Sequence, residues 1–173
     1  MEQIAAPRVN LSPSKGGSTM SNMPPAGSVT KRLGNELMGL MMSAPPGISA
    51  FPSSDENIFE WVGRIEGSPG TVYEGLAFKI SISFPANYPY TAPTIKFTTP
   101  CFHPNVSNNG DICLDILKEK WSAVYSVQTV LVSLQSLLGE PNNDSPLCVE
   151  AAELWDDQKA FKSRLMQLYR PIP

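Results

Sequence analysis

The chain is poor in the residues most often used for chemistry. It has one histidine and three cysteines in 173 residues. A single histidine excludes metal centres built on two or three imidazoles, and it leaves a cysteine hydrolase only one candidate base. An odd cysteine count, at spacings unlike a disulfide framework, points to a reducing compartment, cytosol or nucleus. Charge is scarce as well: 17% of residues carry it and the net is −3, so there is no electrostatic footprint for nucleic acid. Met1-Glu2-Gln3 leads into no apolar run, so no signal peptide is expected, and no stretch reaches the length of a membrane span. Phosphate-cradling glycine loops and Ser-His-Asp signatures are missing. What remains is enough chain, 42% of it hydrophobic, for one domain with a real core.

Residues 1–28 contain no aromatic side chain and are dense in Pro, Ser and Gly. Such a segment buries too little apolar area to offset its ordering entropy, so a disordered tail is expected, followed by one catalytic domain over 29–173. Within the tail, Arg8-Val9-Asn10-Leu11 has the spacing of a degradation signal and Ser12-Pro13 that of a proline-directed phosphorylation site. Both patterns are short enough for chance. Leu33, Leu37, Leu40 and Met41 then recur on one helical face, ended by Pro45-Pro46. Lys31 and Arg32 sit in the first turn, where the helix dipole disfavours positive charge. They read either as a solvated end or as a basic patch kept for a partner.

Strand periodicity follows. Phe59, Trp61 and Ile65 alternate with polar residues, and Leu76, Phe78, Ile80, Ile82 and Phe84 form the cleanest alternation in the chain. Ile95 and Phe97 mark a further strand. Short breaks between these runs imply an antiparallel meander. Beyond residue 126 the period becomes helical. Val127, Val130, Leu131, Leu134, Leu137 and Leu138 share a face, with Ser126 as N-cap and Gly139 and Pro141 as the stop. A short helix is predicted from near Pro146, capped by Ser145, and a last one follows Asp157 with Phe161, Leu165 and Leu168 inward. The order predicts an α+β fold with helices on one face of an antiparallel sheet.

Between strands and helices lies a stretch that is neither. It runs from Thr99 through His103-Pro104-Asn105, the turn Asn108-Asn109-Gly110 and Cys113 to Trp121. Pro104 cannot donate to a ladder and Asn-Gly is a turn signal. A compact domain rarely keeps so long a loop without a use for it. Cys113 is then either a nucleophile or a small buried hydrophobe. A zinc site from Cys101, His103, Cys113 and distant Cys148 fits none of the usual spacings. His103, held between Phe102 and Pro104, reads as a structural histidine bonded within its loop.

His103-Pro104-Asn105, with Cys113-Leu114-Asp115-Ile116-Leu117 eight residues past Asn105 and Trp121 beyond, resembles the active-site signature of ubiquitin-conjugating enzymes. The resemblance takes in Lys31-Arg32, Tyr88-Pro89-Tyr90 with Pro93, Ser122-Ala123 and Leu137-Leu138 leading to Pro141-Asn142. Only the first 28 residues fall outside it. Gly47-Ile48-Ser49-Ala50-Phe51-Pro52, Met41-Met42 and Leu138-Gly139-Glu140-Pro141-Asn142 resemble the cyclin-selective class, which serves the anaphase-promoting complex.

The resemblance implies a ubiquitin-conjugating fold: N-terminal helix, four-stranded antiparallel meander, long active-site loop, central helix and two C-terminal helices. It implies that Cys113 takes ubiquitin as a thioester from the activating enzyme and passes it to a lysine with a RING-type ligase. It implies no cofactor and no metal, a monomer, no nucleic-acid or membrane partner, and a cytoplasmic and nuclear location. Asn105 is the residue the family places at the oxyanion, against the bland reading of a loop pin. Many relatives have an acid where Ser145 stands here, so Asp115, Asp144 and Ser145 are all candidates to orient the acceptor lysine. Lys31, Arg32, Tyr90, Ser122 and Ala123 match the ligase-binding surface, and Lys118 and Lys120 are candidates for self-modification. The alternatives are a binding scaffold that keeps the fold without activity, whose known examples lack the cysteine, and a small cysteine hydrolase.

Overall fold

Alternation sets the sheet. In the computed structural model, which describes residues 26–173, β1 (Ile48–Ser54), β2 (Asn57–Glu66), β3 (Ala77–Ser83) and β4 (Thr94–Phe97) pair antiparallel in chain order. Register places Trp61 opposite Ile82 and Ile82 opposite Ile95, while Ile80 faces Gly63 on one side and Phe97 on the other. All of these point to one face. The other face carries Arg64, Lys79 and Lys96, which alternate with them in sequence. Gly63 is needed because a Cβ there would come within 2.7 Å of the Ile80 side chain. Phe78, Ile80 and Ile82 are fully buried. Truncating one of them to Ala would cost about 2–5 kcal/mol through lost transfer energy and the cavity left behind.

Four helices complete the domain: α1 (Ala26–Ser43), α2 (Val127–Gly139), α3 (Val149–Leu154) and α4 (Gln158–Leu168). Helix α1 packs on β1, β2 and α2, and α2 packs on β2. Helix α2 brings Val127, Val130, Leu131, Leu134 and Leu138 into the core, and α4 brings Phe161 and Leu165. The expected caps of α2 and α4 are present: the Ser126 side chain accepts from Thr129 N–H and Asp157 from Ala160 N–H. No helix among the described residues is long and apolar enough to cross a membrane.

Three expectations need correction. Met41 is 68% exposed; the first turn of the α1 stripe is completed by Val29 instead, four residues before Leu33. The helix starts at Ala26, three residues ahead of the expected domain start at 29, because that buried valine needs a turn before it. The rest of the expected tail, with Arg8–Leu11 and Ser12–Pro13, lies outside the described residues. The fourth strand implied by the resemblance is residues 48–54, although Pro52 interrupts their alternation; β1 is the sheet edge, where proline is tolerated, and the register shifts just after it. Ser145 does not cap α3, whose N-cap is Cys148 with no side-chain bond. The segment stays non-helical up to Cys148, where Leu147 N–H and Cys148 N–H both donate to the Pro104 carbonyl.

Candidate active site

The long loop has almost no regular structure, so its shape comes from bonds to its neighbours. Its entry is hooked to β3: Thr98 N–H and Thr99 N–H donate to the Lys79 carbonyl, and Thr99 Oγ1 accepts from Lys79 N–H at 2.8 Å. The expected Asn-Gly turn closes with Gly110 N–H on the Ser107 carbonyl at 3.0 Å. Gly110 has φ +85°, and a Cβ there would sit 2.0 Å from the Phe97 carbonyl oxygen. Only glycine fits. That approach lets Phe97 N–H donate to the Gly110 carbonyl, so the loop tip is stitched to β4.

His103 is the next anchor. It has no exposed surface, its Nδ1 accepts from Asn105 N–H at 2.9 Å, and its Nε2 lies 2.7 Å from the Leu137 carbonyl. An N–H donor on Nδ1 requires that nitrogen to be bare, so the proton sits on Nε2 and is donated to α2. Burial pushes the imidazole down to about 4. Both nitrogens are spent on the backbone, so His103 has none left to act as a base for a thiol or as a metal ligand. The Phe102 carbonyl beside it accepts from buried Tyr73 Oη at 2.5 Å, a contact with no signal in the sequence.

Asn105 sits at the junction. It is 1% exposed. Its Nδ2 donates to the Asn142 carbonyl at 2.6 Å, and its Oδ1 accepts from Asn142 N–H at 2.8 Å. Its own carbonyl accepts from Cys113 N–H at 2.9 Å. One residue thus ties the cysteine strand of the loop to the segment that follows α2. The loop-pin reading of Asn105 is plain in this geometry. One Nδ2 proton and one Oδ1 lone pair remain uncommitted.

Of the three thiols, all free, Cys113 is the one between these anchors, and its residue keeps partial exposure. Burial pushes the Cys101 thiol far up, which disfavours its thiolate, although parts of that residue still reach the surface. Cys148 stands at the N-terminus of α3, held there by its backbone bonds to Pro104 and Ala152. After Cys113 the chain makes a short 3₁₀ turn at Asp115–Leu117. Asp115 is half-exposed, accepts from Ile116 N–H, and pairs with Lys120 at 3.1 Å. Asp144 and Ser145 are both exposed on the Asn142 segment, where Asp144 N–H donates to Asn142 Oδ1.

The second group of expected residues also comes together. Tyr90 is 64% exposed and Val124 is 82% exposed. Trp121 Nε1 donates to the Pro89 carbonyl at 2.8 Å, which joins the 88–90 turn to the 122–125 loop. Lys31 is exposed, while Ser122 and Ala123 are half-covered. Arg32 departs from its expected role. Its Nε pairs with Glu36 at 2.7 Å, and its Nη2 donates to the carbonyls of Ala123 and Tyr125. It supports the surface from beneath. Glu36 had no place in the sequence reading; a Glu four residues after an Arg is common on helices and gives no sign of long-range contacts.

This arrangement defines a class: an α+β domain that carries a partly exposed cysteine on a backbone-clamped loop and, elsewhere on its surface, an exposed aromatic turn. The comparisons with known proteins are specific. Residues 32–169 match the family model described as Ubiquitin-conjugating enzyme. The chain belongs to the ubiquitin-conjugating enzymes, transferases that work through a cysteine thioester with ubiquitin, an activating enzyme and ligases. It is similar to the Ubiquitin-conjugating enzyme E2-20 kDa of Schizosaccharomyces pombe, at 67% identity over 146 residues, which cover 84% of this chain and 83% of that one.

Proposed function

We propose that Cys113 is the residue that carries ubiquitin, and that this enzyme serves the anaphase-promoting complex on mitotic substrates, as a monomer, in cytoplasm and nucleus. One observation carries the first part. Cys113 is the thiol whose backbone is bonded to Asn105, and Asn105 in turn is clamped to Asn142. A thioester is an activated acyl group, so the site needs no strong base beside the sulfur. That agrees with a histidine whose two nitrogens are already occupied. What the site must supply is a fixed sulfur, a donor for the oxyanion and a route for the lysine.

Asn105 supplies the donor through its uncommitted Nδ2 proton while the other proton holds the loop. Asp144 is the acid best placed to orient the amine: it is exposed on the clamped segment, whereas Asp115 is paired with Lys120 and Ser145 has no charge to offer. Lys31, Tyr90, Ser122, Ala123 and Val124 form the ligase surface, with Tyr90 as the aromatic anchor. The anaphase-promoting class rests on the Gly47–Pro52 and Leu138–Asn142 sequences and on the exposed Met41-Met42 end of α1.

The test uses full-length chain with activating enzyme, ATP and ubiquitin on a non-reducing gel. A thiol-sensitive adduct that disappears in Cys113→Ala and persists in Cys101→Ala and Cys148→Ala is the expected result. An adduct that survives Cys113→Ala refutes the assignment. Adding the anaphase-promoting complex should speed discharge onto a cyclin fragment, and an unrelated RING ligase doing so equally well would remove the class assignment.

A further inference from the structure

Glu36 lies in α1, and two of the three groups it bonds are far from it in sequence. Its side chain is 7% exposed. Oε1 accepts from Arg32 Nε at 2.7 Å and from Tyr88 Oη at 2.6 Å; Oε2 accepts from Val127 N–H at 2.7 Å. Val127 is the first residue of α2, so its amide is one of the donors a helix leaves unpaired, and a carboxylate there also faces the positive end of the helix dipole. Arg32 extends the carboxylate's reach: its Nη2 takes the carbonyls of Ala123 and Tyr125, and its guanidinium lies 5.7 Å from the centre of the Tyr88 ring. Both exposed apolar residues of this surface, Tyr90 and Val124, therefore stand on loops whose backbones lead back to one carboxylate.

No member of this cluster shares a bond with Cys113, Asn105 or Asn142, so it is separate from the chemistry. Loops without regular structure lose conformational freedom when a partner binds, and a partner's apparent affinity falls by the fraction of time its surface is misplaced. Resting on the ligase-surface reading above, we infer that Glu36 is a positioning residue for ligase-assisted transfer: it fixes the 88–90 turn and the 122–125 loop at the spacing the ligase reads. Directly or through Arg32, Glu36 joins α1 to three other segments, two of which present the exposed side chains.

The experiment compares Glu36→Gln, Tyr88→Phe and Tyr90→Ala with wild type in discharge of pre-formed thioester to free lysine. It is run without ligase and across a titration of the anaphase-promoting complex. Glu36→Gln should raise KM for the ligase about tenfold, the equivalent of one charge-assisted hydrogen bond, with kcat and ligase-free discharge within about twofold. Tyr88→Phe, which removes one donor and keeps the ring, should raise it by a smaller factor and carries the test if Glu36→Gln does not fold. Hydrogen exchange should quicken at 88–90 and 122–125 in both. A KM that rises in Tyr90→Ala but stays at the wild-type value in Tyr88→Phe and Glu36→Gln overturns the inference and leaves the surface intact. A KM unchanged in all three overturns the surface reading with it.

Discussion

Replacing Asn105 with Ala separates the two tasks assigned to one carboxamide. The structural task is the pair of bonds to the Asn142 backbone at 2.6 and 2.8 Å. Each is neutral and worth about 1 kcal/mol net; Asn142 is itself exposed, so water replaces both partners and the total loss stays near ~2 kcal/mol. For a chain of this size that lowers the melting temperature by about 4–8 °C. The chemical task is a single donor to the oxyanion formed when the amine attacks, and the loss of such a donor costs roughly 100- to 1,000-fold. The assay is single-turnover discharge of the pre-formed thioester to lysine, with charging and thermal melting measured alongside. Charging should stay largely intact, discharge should collapse, and melting should fall by the stated few degrees. Discharge slowed less than about fivefold would refute the donor role, and an unchanged melting temperature would refute the clamp.

Four further outcomes are expected. His103 is held neutral by burial, at about 4 against an ordinary ~6.5, so its stabilisation is complete above pH ~6.5 and is lost as the pH falls through that window. Urea unfolding should show about 2 kcal/mol lost between pH 6.5 and 5, and His103→Gln should flatten that slope; an equal slope would assign it to other groups. Gly110→Ala should cost about 3 kcal/mol or more in chemical denaturation, since the new Cβ meets the Phe97 carbonyl at 2.0 Å; a loss below ~1 kcal/mol would mean that the turn re-routes. Asp144→Asn should slow lysine discharge by up to about fivefold, the scale of one exposed charge, while Asp115→Asn leaves it near wild type; the reverse order would move the acid to Asp115. Self-modification should fall on Lys118 rather than on Lys120, which Asp115 holds; mass spectrometry after long reaction that finds ubiquitin remnants on Lys120 alone would contradict this.

How much of this could be read in the chain depended on the range of the interaction. Strand β3 was plain because five alternating apolar residues all face one core. Helices α2 and α4 were plain because Ser126 and Asp157 cap within their own turn. The loop announced itself through Pro104 and Asn109-Gly110. The failures share one cause. Ser145 met every local rule for a cap and lost to two amide bonds that reach back to Pro104. Arg32 looked like a free surface cation because nothing in its own segment shows that the carbonyls of Ala123 and Tyr125 lie against it. Met41 lies at the margin of the helical stripe: its neighbour Leu40 is buried and Ala44 packs on the core, while Met41 itself faces solvent. Glu36 and Tyr73 act across dozens of residues, where periodicity carries no information.

The Pro104 carbonyl receives two amides, and Asn142 is gripped at both its own polar groups. Residues 143–146 are therefore a short bridge with both abutments fixed. Lengthening that bridge cannot be absorbed sideways into the body of the protein; the added residues must arch outward into solvent, where 142–145 already lie exposed. Insert length between 142 and 147 can therefore change without disturbing a single core residue.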